Sequence, residues 1–145
     1  MPQTQSDKTG DVTPAALRPH PAERKRKSAP ALRAFFSIAD KWGLDAKDRL
    51  GLLGWPSKST LYNWKTATDV TLPYDVLVRL SLVLGIYKAL HILYPDADFA
   101  HRWMKLPNRN VLFGGRSPVD HAVRGGTIGL YDVRRLLDAR RGGWN

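Results

Sequence analysis

Two groups of residues in this sequence have side chains and spacing suited to recognising a macromolecule. The first group is polar, follows a Gly54-Trp55-Pro56 turn, and consists of Lys58, Ser59, Tyr62 and Asn63. At these spacings the four side chains share one face of a helix. Amides and hydroxyls can pair with base edges, and a lysine at a helix start can meet a phosphate beside free backbone amides. The alternative interpretation is an ordinary solvent-exposed face of a short helix.

The second group is cationic and aromatic, lies toward the carboxyl end, and consists of Arg116, Arg140, Arg141, Trp144 and Asn145. Arginine and tryptophan are the residues that most often dominate protein interfaces. We expect the arginines to make rim contacts, and Trp144 with the terminal carboxylate of Asn145 to form a protruding plug. A second interpretation, in which Trp144 folds back on Trp103 or Leu137, stays open.

Catalytic chemistry is not indicated by this sequence. Cysteine is absent, which excludes disulfides, thiolate catalysis and cysteine–zinc sites. The histidines have no metal-ligand spacing and are expected on the surface or in packing: His20, His91, His101 and His121. The glycine pairs at 114–115 and 125–126 do not have the pattern of a phosphate-binding loop. We therefore predict that the protein is not an enzyme and has no metal or cofactor.

The net charge is strongly positive. Lysine and arginine number 23 against 13 acidic residues, which gives +10 and a sequence pI near 10.2. A net positive charge of this size favours a polyanionic partner, either nucleic acid or an acidic protein surface, but it does not distinguish between the two. The run Arg24-Lys25-Arg26-Lys27 is either a solvated charge run, a phosphate-contacting arm or a docking strip for a protein partner.

The apolar periodicity predicts an all-α protein. Residues 1–28 are rich in proline and polar residues and are expected to form a disordered basic tail. Helices are predicted over 31–42, 45–53, 58–65, 75–94, 98–104 and from Ser117 onward, with a break at 125–126. The wide apolar stripe of the 75–94 helix indicates a central helix and a homodimer. Gly85 in that helix indicates close packing against another backbone. No apolar run is expected to reach bilayer length, so we predict a cytoplasmic protein without membrane contact.

A helix, a glycine-containing turn and a short polar helix form the organisation of a helix-turn-helix. Residues 52–65 resemble the Xre-type version of this motif, in which a Leu-Gly turn, a serine cap and a late tryptophan recur. Here these are Leu53-Gly54, Ser57 and Trp64. The pair Trp55-Pro56 stands where small residues are commoner in that family.

The carboxyl-terminal third resembles the Xre/MbcA/ParS toxin-binding domain of bacterial antitoxins, over residues of about 97–145. The matching residues are Trp103-Met104, Pro107-Asn108, Gly115 to Pro118, Gly126, Val133, Leu137 and Gly142. The ending Arg141-Gly142-Gly143-Trp144 is most similar to the branch whose partners are RES-domain toxins. The expected architecture is therefore an Xre-like helix-turn-helix bundle over 29–95, followed by a small helical toxin-binding domain over 96–145.

The resemblance implies an antitoxin of a type II toxin–antitoxin system. It would bind a RES-domain toxin that depletes NAD, block that toxin sterically, and repress its own operon by binding operator DNA as a homodimer. The carboxylate-bearing tail would pair with cations in a site shaped for a phosphate-rich dinucleotide. Two alternatives stay open. One is a plain dimeric transcriptional regulator without a toxin partner, and the other is an interaction module that does not bind DNA.

Overall fold

The computed structural model describes residues 20–142, and within this range the protein contains helices and no strands. The predicted residues Trp144 and Asn145, and the tail segment 1–19, lie outside the described residues. The elements in chain order are α1 (Pro21–Lys41), α2 (Ala46–Leu52), α3 (Lys58–Thr66), α4 (Tyr74–Leu93), α5 (Ala97–Arg102), a 3-10 helix (Trp103–Lys105) and α6 (Pro118–Arg141). The all-α prediction is confirmed.

The first helix begins well before its predicted start at residue 31. Pro21 occupies the first helical position of α1, and the Nδ1 atom of His20 accepts a hydrogen bond from the Ala22 amide at 3.2 Å. Proline is favourable there because its fixed φ suits the helix and its missing amide would have no partner. The expectation of disorder is therefore wrong for residues 21–28.

A long-range hydrogen bond explains why the start of α1 is ordered. Ser28 is completely buried. Its hydroxyl accepts a hydrogen bond from the Leu72 amide at 3.0 Å and donates one to the Arg24 carbonyl at 2.6 Å. Because a buried amide without a partner is costly, this pair fixes the loop before α4 against α1. The bond joins residues 44 positions apart, so local sequence patterns do not reveal it.

Helices α2 and α3 form the predicted helix-turn-helix. The carboxylate of Asp45 caps α2 by accepting from the Asp48 amide at 2.8 Å, and the Ser57 hydroxyl caps α3 by accepting from the Thr60 amide at 3.0 Å. Between them Trp55 has a φ of 64°, a left-handed conformation that is uncommon outside glycine. The turn is thus built by a bulky residue in a strained conformation.

Helix α4 is the central element and packs against both α1 and α6. Its fully buried residues are Val76, Leu80, Val83, Ile86, Ala89 and Leu90. With 20 residues and a mean hydropathy of 1.8, it is long and apolar enough to cross a bilayer. The expectation that no apolar run reaches this length is therefore wrong. A core helix enclosed by its neighbours has the same composition, because such a helix is apolar on nearly every side.

Helix α6 is broken where the glycine pair predicts a break. Gly126 has φ of 64° and ψ of −142°, which separates a short first half from a long second half. The halves lie against each other, since a Cβ atom on Gly129 would lie 2.7 Å from the carbonyl oxygen of His121. The second half packs on α4. There the guanidinium of Arg134 covers Gly85, so the close approach expected from Gly85 involves a side chain and not a backbone.

One continuous hydrophobic core joins the helix-turn-helix part and the carboxyl-terminal part. It includes the fully buried residues Leu32, Phe35, Leu52, Leu80, Ile86, Met104, Phe113, Leu130 and Leu137. Because these residues come from both parts, loss of packing in either part is expected to destabilise the other.

Candidate functional site

The four polar residues predicted on the recognition helix lie together on the exposed face of α3. Lys58, Ser59 and Asn63 are exposed, and Tyr62 keeps 74% of its surface accessible. Within α3 no residue is fully buried. The partly buried Leu61 and Trp64 hold the helix on the core. The structure therefore presents a polar helix face that rests on a narrow apolar base.

The electrostatics of α3 favour an anionic partner. Its first turn contains no acidic residue, its last turn contains Lys65, and free amides at a helix start attract negative charge. Arg49 on the neighbouring α2 already has an anionic partner within the chain, because its guanidinium pairs with Asp40 at 2.8 Å. Lys58 and Lys65 therefore remain the cations of α3 that can approach a phosphate.

The basic run at the start of α1 is largely neutralised within the chain. Lys27 lies 3.0 Å and Arg26 3.9 Å from the carboxylate of Glu23, while Lys25 lies 3.1 Å from that of Asp69. The hydrogen bond from Lys27 lowers the pKa of Glu23, and the charges of Lys27 and Arg26 lower it further. These ion pairs indicate that the basic run is a solvated helix face and argue against a free phosphate-contacting arm.

The predicted carboxyl-terminal arginines are each engaged by a neighbour. Arg116 lies 3.6 Å from the carboxylate of Asp120, and Arg141 lies 3.6 Å from that of Asp138. Arg140 donates a hydrogen bond to the Tyr94 hydroxyl at 3.2 Å. Trp144 and Asn145 lie outside the described residues, so the choice between a plug and a folded-back tryptophan stays open.

The structure also shows a surface that sequence reasoning missed. Leu112, Tyr131 and Arg135 line one surface cavity, Ile128 lies on the same face of α6 by its helical spacing, and Val111 precedes Leu112 on the loop. We name these five residues the outer patch. Val111 is 94%, Ile128 74% and Tyr131 53% exposed, and the Arg135 guanidinium lies 5.8 Å from the centre of the Tyr131 ring. A signal was present, because positions 128, 131 and 135 fall on the side of a helix opposite Leu130 and Val133.

The loop before α6 holds Val111 in its outward position. The side-chain oxygen of Asn108 accepts from the Asn110 amide, and that of Asn110 accepts from the Leu112 amide, both at 2.9 Å. Phe113 is buried and packs edge-on against Trp103, with the ring centres 6.2 Å apart. Two consecutive asparagine turns and one aromatic anchor therefore fix this loop against the core.

The histidines act in packing and pairing. Tyr87 contacts the rings of both His91 and His101, with ring centres 4.3 Å and 6.1 Å apart. His121 lies 3.0 Å from the carboxylate of Asp132, which joins the two halves of α6. Within residues 20–142 no cluster of three or more histidine or carboxylate side chains could hold a metal ion. The absence of a metal, a cofactor and an enzymatic activity stays a prediction.

The fold and its exposed surfaces define a helical binding protein with a helix-turn-helix, and two family models identify its class. Residues 21–85 match the antitoxin Xre-like helix-turn-helix domain, and residues 89–143 match the antitoxin Xre/MbcA/ParS C-terminal toxin-binding domain. A curated relative, protein y4oB of Sinorhizobium fredii, is 46% identical over 112 residues, which cover 77% of this chain and 84% of the relative.

The chain belongs to the Xre/MbcA/ParS antitoxin family. The expected family resemblance is thereby confirmed, and the chain is an antitoxin with a helix-turn-helix domain and a toxin-binding domain. The two matched segments meet inside α4, since one ends at residue 85 and the other begins at residue 89.

Proposed function

We propose that this antitoxin binds and sterically blocks a RES-domain toxin that degrades NAD, and that it represses its own operon through α3. It acts in the cytoplasm as a homodimer. The observation that carries the proposal is the presence of a helix-turn-helix and a toxin-binding domain on one core, with separate exposed surfaces. One chain can then hold DNA and toxin at once.

The ending of the chain supports a RES-domain toxin. Arg141-Gly142-Gly143-Trp144 is similar to the branch of the family that neutralises such toxins. The active site of an NAD-degrading enzyme accommodates a phosphate-rich substrate, and Trp144 and Asn145 are the residues proposed to occupy that site. Arg116, Arg140 and Arg141 are the proposed rim contacts of this interface.

Operator binding is assigned to Lys58, Ser59, Tyr62 and Asn63 on α3. Asn63 is the residue suited to pairing with a base edge, and Lys58 is suited to a phosphate. One helix-turn-helix reads a short half-site, and useful specificity needs two half-sites. A second copy of the chain fits the apolar groove between α1 and α4, which is lined by Ala31, Leu77, Val78 and Leu84.

Co-expression with the proposed partner, a RES-domain toxin encoded by a neighbouring gene, tests the proposal. Cells that produce the toxin alone should stop growing, and full-length antitoxin should restore growth. A variant lacking residues 142–145 should fail to restore growth while it still shifts operator DNA, because the deletion leaves α3 intact. The deletion variant thus serves as its own folding control.

Two outcomes would contradict the proposal. Growth restored equally by the deletion variant would rule out the tail as the blocking element. A full-length chain that shifts operator DNA yet never restores growth would favour the plain dimeric regulator.

A further inference from the structure

The outer patch combines exposure with rigidity. Ile128 and Tyr131 stand on the second half of α6, whose opposite side carries Leu130, Val133 and Leu137 at 0% exposure. Val111 stands on a loop that two asparagine turns fix. Large apolar side chains that share one exposed surface mark interaction sites. An apolar surface that is already ordered loses little conformational entropy when a partner covers it.

We propose that the outer patch is a contact surface for the toxin, separate from the carboxyl-terminal tail, and that it takes an apolar surface of the toxin bordered by acidic residues. This inference rests on the proposed function, because the toxin is the partner. In the proposed arrangement Ile128 and Tyr131 are the apolar anchors, and Arg135 pairs with the acidic border.

The location of the patch supports a toxin as its occupant. All of its residues fall within 89–143, the segment that matches the toxin-binding domain. Another apolar groove, between α1 and α4, is lined by residues of the helix-turn-helix segment. These two apolar surfaces therefore fall in different family segments, and the outer patch lies in the toxin-binding segment.

The charges around the patch define the chemistry of the partner. Within residues 20–142 no carboxylate lies within ion-pair distance of Arg135, or of Arg109, which stands two positions before Val111. The carboxylates of α6 are already occupied by cations or by His121, and they are Asp120, Asp132 and Asp138. Asp132 and Asp138 line the same cavity as Arg135, but each has a partner of its own, so Arg135 is the cation of the patch that no described carboxylate pairs with, and it favours an acidic group on the partner.

The same charges argue against the other occupants. If two copies met through the patch about a twofold axis, their Arg135 side chains would approach each other, and like charges would repel. Nucleic acid is a poor fit, because Val111 and Ile128 offer no hydrogen bond to a phosphate or a base edge. An apolar centre with an arginine border is instead the composition of a protein interface.

Affinity measurements with the proposed partner, a purified RES-domain toxin, test this inference. Ile128→Glu in the full chain should weaken binding about tenfold or more, because it buries a charge at an apolar contact. Val111→Glu tests the loop side of the same patch. The matched control is Ile92→Glu on α4, the same substitution at a position that is 53% exposed. Arg135→Glu should slow association and weaken its salt dependence.

Each outcome decides between alternatives. Binding by wild type, with loss in Ile128→Glu and Val111→Glu and none in Ile92→Glu, supports the patch. Wild-type affinity in both patch variants, or an equal loss in Ile92→Glu, overturns the patch while the proposed function stands. A wild-type chain that does not bind this toxin overturns the proposed function and the inference together. A reduced mass of the free chain in Ile128→Glu, with toxin affinity unchanged, would make the patch a contact between copies and overturn the inference.

Discussion

The recognition helix and the carboxyl-terminal helix differ in how they are held. Within α3 no residue is fully buried, whereas the second half of α6 buries Leu130, Val133 and Leu137 completely. Their exposed faces also differ, because α3 presents polar side chains to solvent and α6 presents apolar ones. An apolar surface that is already fixed loses little conformational entropy when a partner covers it, so the firm anchoring of α6 suits the contact proposed for its surface.

An arginine of α4 connects the two regions. Arg79 on α4 donates a hydrogen bond to the Leu52 carbonyl at 3.5 Å. A Cβ atom on Gly54 would lie 3.1 Å from the Nε atom of Arg79, and one on Gly126 would lie 3.7 Å from its Nη2 atom. One guanidinium therefore reaches both the turn before α3 and the break in α6.

Truncating one leucine in each region gives the largest expected difference. Leu130→Ala should lower the free energy of unfolding by about 2–5 kcal/mol, because it opens a cavity in the core. Leu61→Ala on α3 should cost less than about 2 kcal/mol, because that side chain is only partly buried. Urea denaturation followed by circular dichroism measures both. Equal losses would show that α3 is anchored as firmly as α6.

Two glycines of α6 sharpen this comparison. Gly129→Ala should destabilise the protein by about 1–3 kcal/mol, because the added Cβ atom would meet the backbone of the first half of α6. Gly125→Ala is the matched control, since a Cβ atom there meets nothing within 4 Å. The control should be neutral or gain up to about 1 kcal/mol from helix propensity. If the melting curves of the two variants coincided, the tight contact between the two halves of α6 would be refuted.

Substitutions on α3 should affect DNA binding and leave folding intact. Asn63→Ala should cost about 1–3 kcal/mol in operator affinity and relax specificity at one base. Lys58→Ala should weaken binding to all sequences and reduce the salt slope by about 1, as expected for one lost phosphate contact. A mobility-shift titration at several salt concentrations separates the two effects. Lys88→Ala, on the exposed surface of α4, is the control, and a loss in Lys88→Ala as large as in Lys58→Ala would remove α3 from the interface.

The smallest expected effect is a pH dependence at the end of α4. Burial lowers the pKa of His91 below its ordinary value of 6.5, and the nearby His101 and Lys41 lower it further. Because the unfolded chain then binds the proton more readily, stability is lost as the pH falls through about 6.5. His91→Gln should therefore flatten the fall in melting temperature between about pH 7.5 and pH 5.5. Parallel curves for wild type and variant would contradict this.

Local patterns predicted most of the fold. The caps of α2, α3 and α6, and the break at Gly126, follow from residue types at fixed offsets. The early start of α1 could not be predicted from residue types at fixed offsets, because it depends on the hydrogen bond between Ser28 and Leu72 across 44 residues. The contact at Gly85 was assigned to a backbone, because sequence does not show which side chain of α6 reaches it.

One of the two candidate sites could be predicted from the sequence, and the other could not. The polar face of α3 follows from the helix-turn-helix pattern, because its spacing alone brings Lys58 and Asn63 to one side. The outer patch was not predicted, because the apolar periodicity of α6 marks its buried face, through Leu130 and Val133. Ile128 and Tyr131 can be identified as an exposed apolar surface only once the structure shows which side of α6 packs on the core.

The most direct measurement of the central claim is the rate of NAD consumption by the purified RES-domain toxin as this chain is added. Steric blocking predicts that the rate falls in proportion to the added antitoxin and vanishes once the toxin is saturated, with or without operator DNA. An unchanged rate in the presence of excess full-length antitoxin would contradict the account.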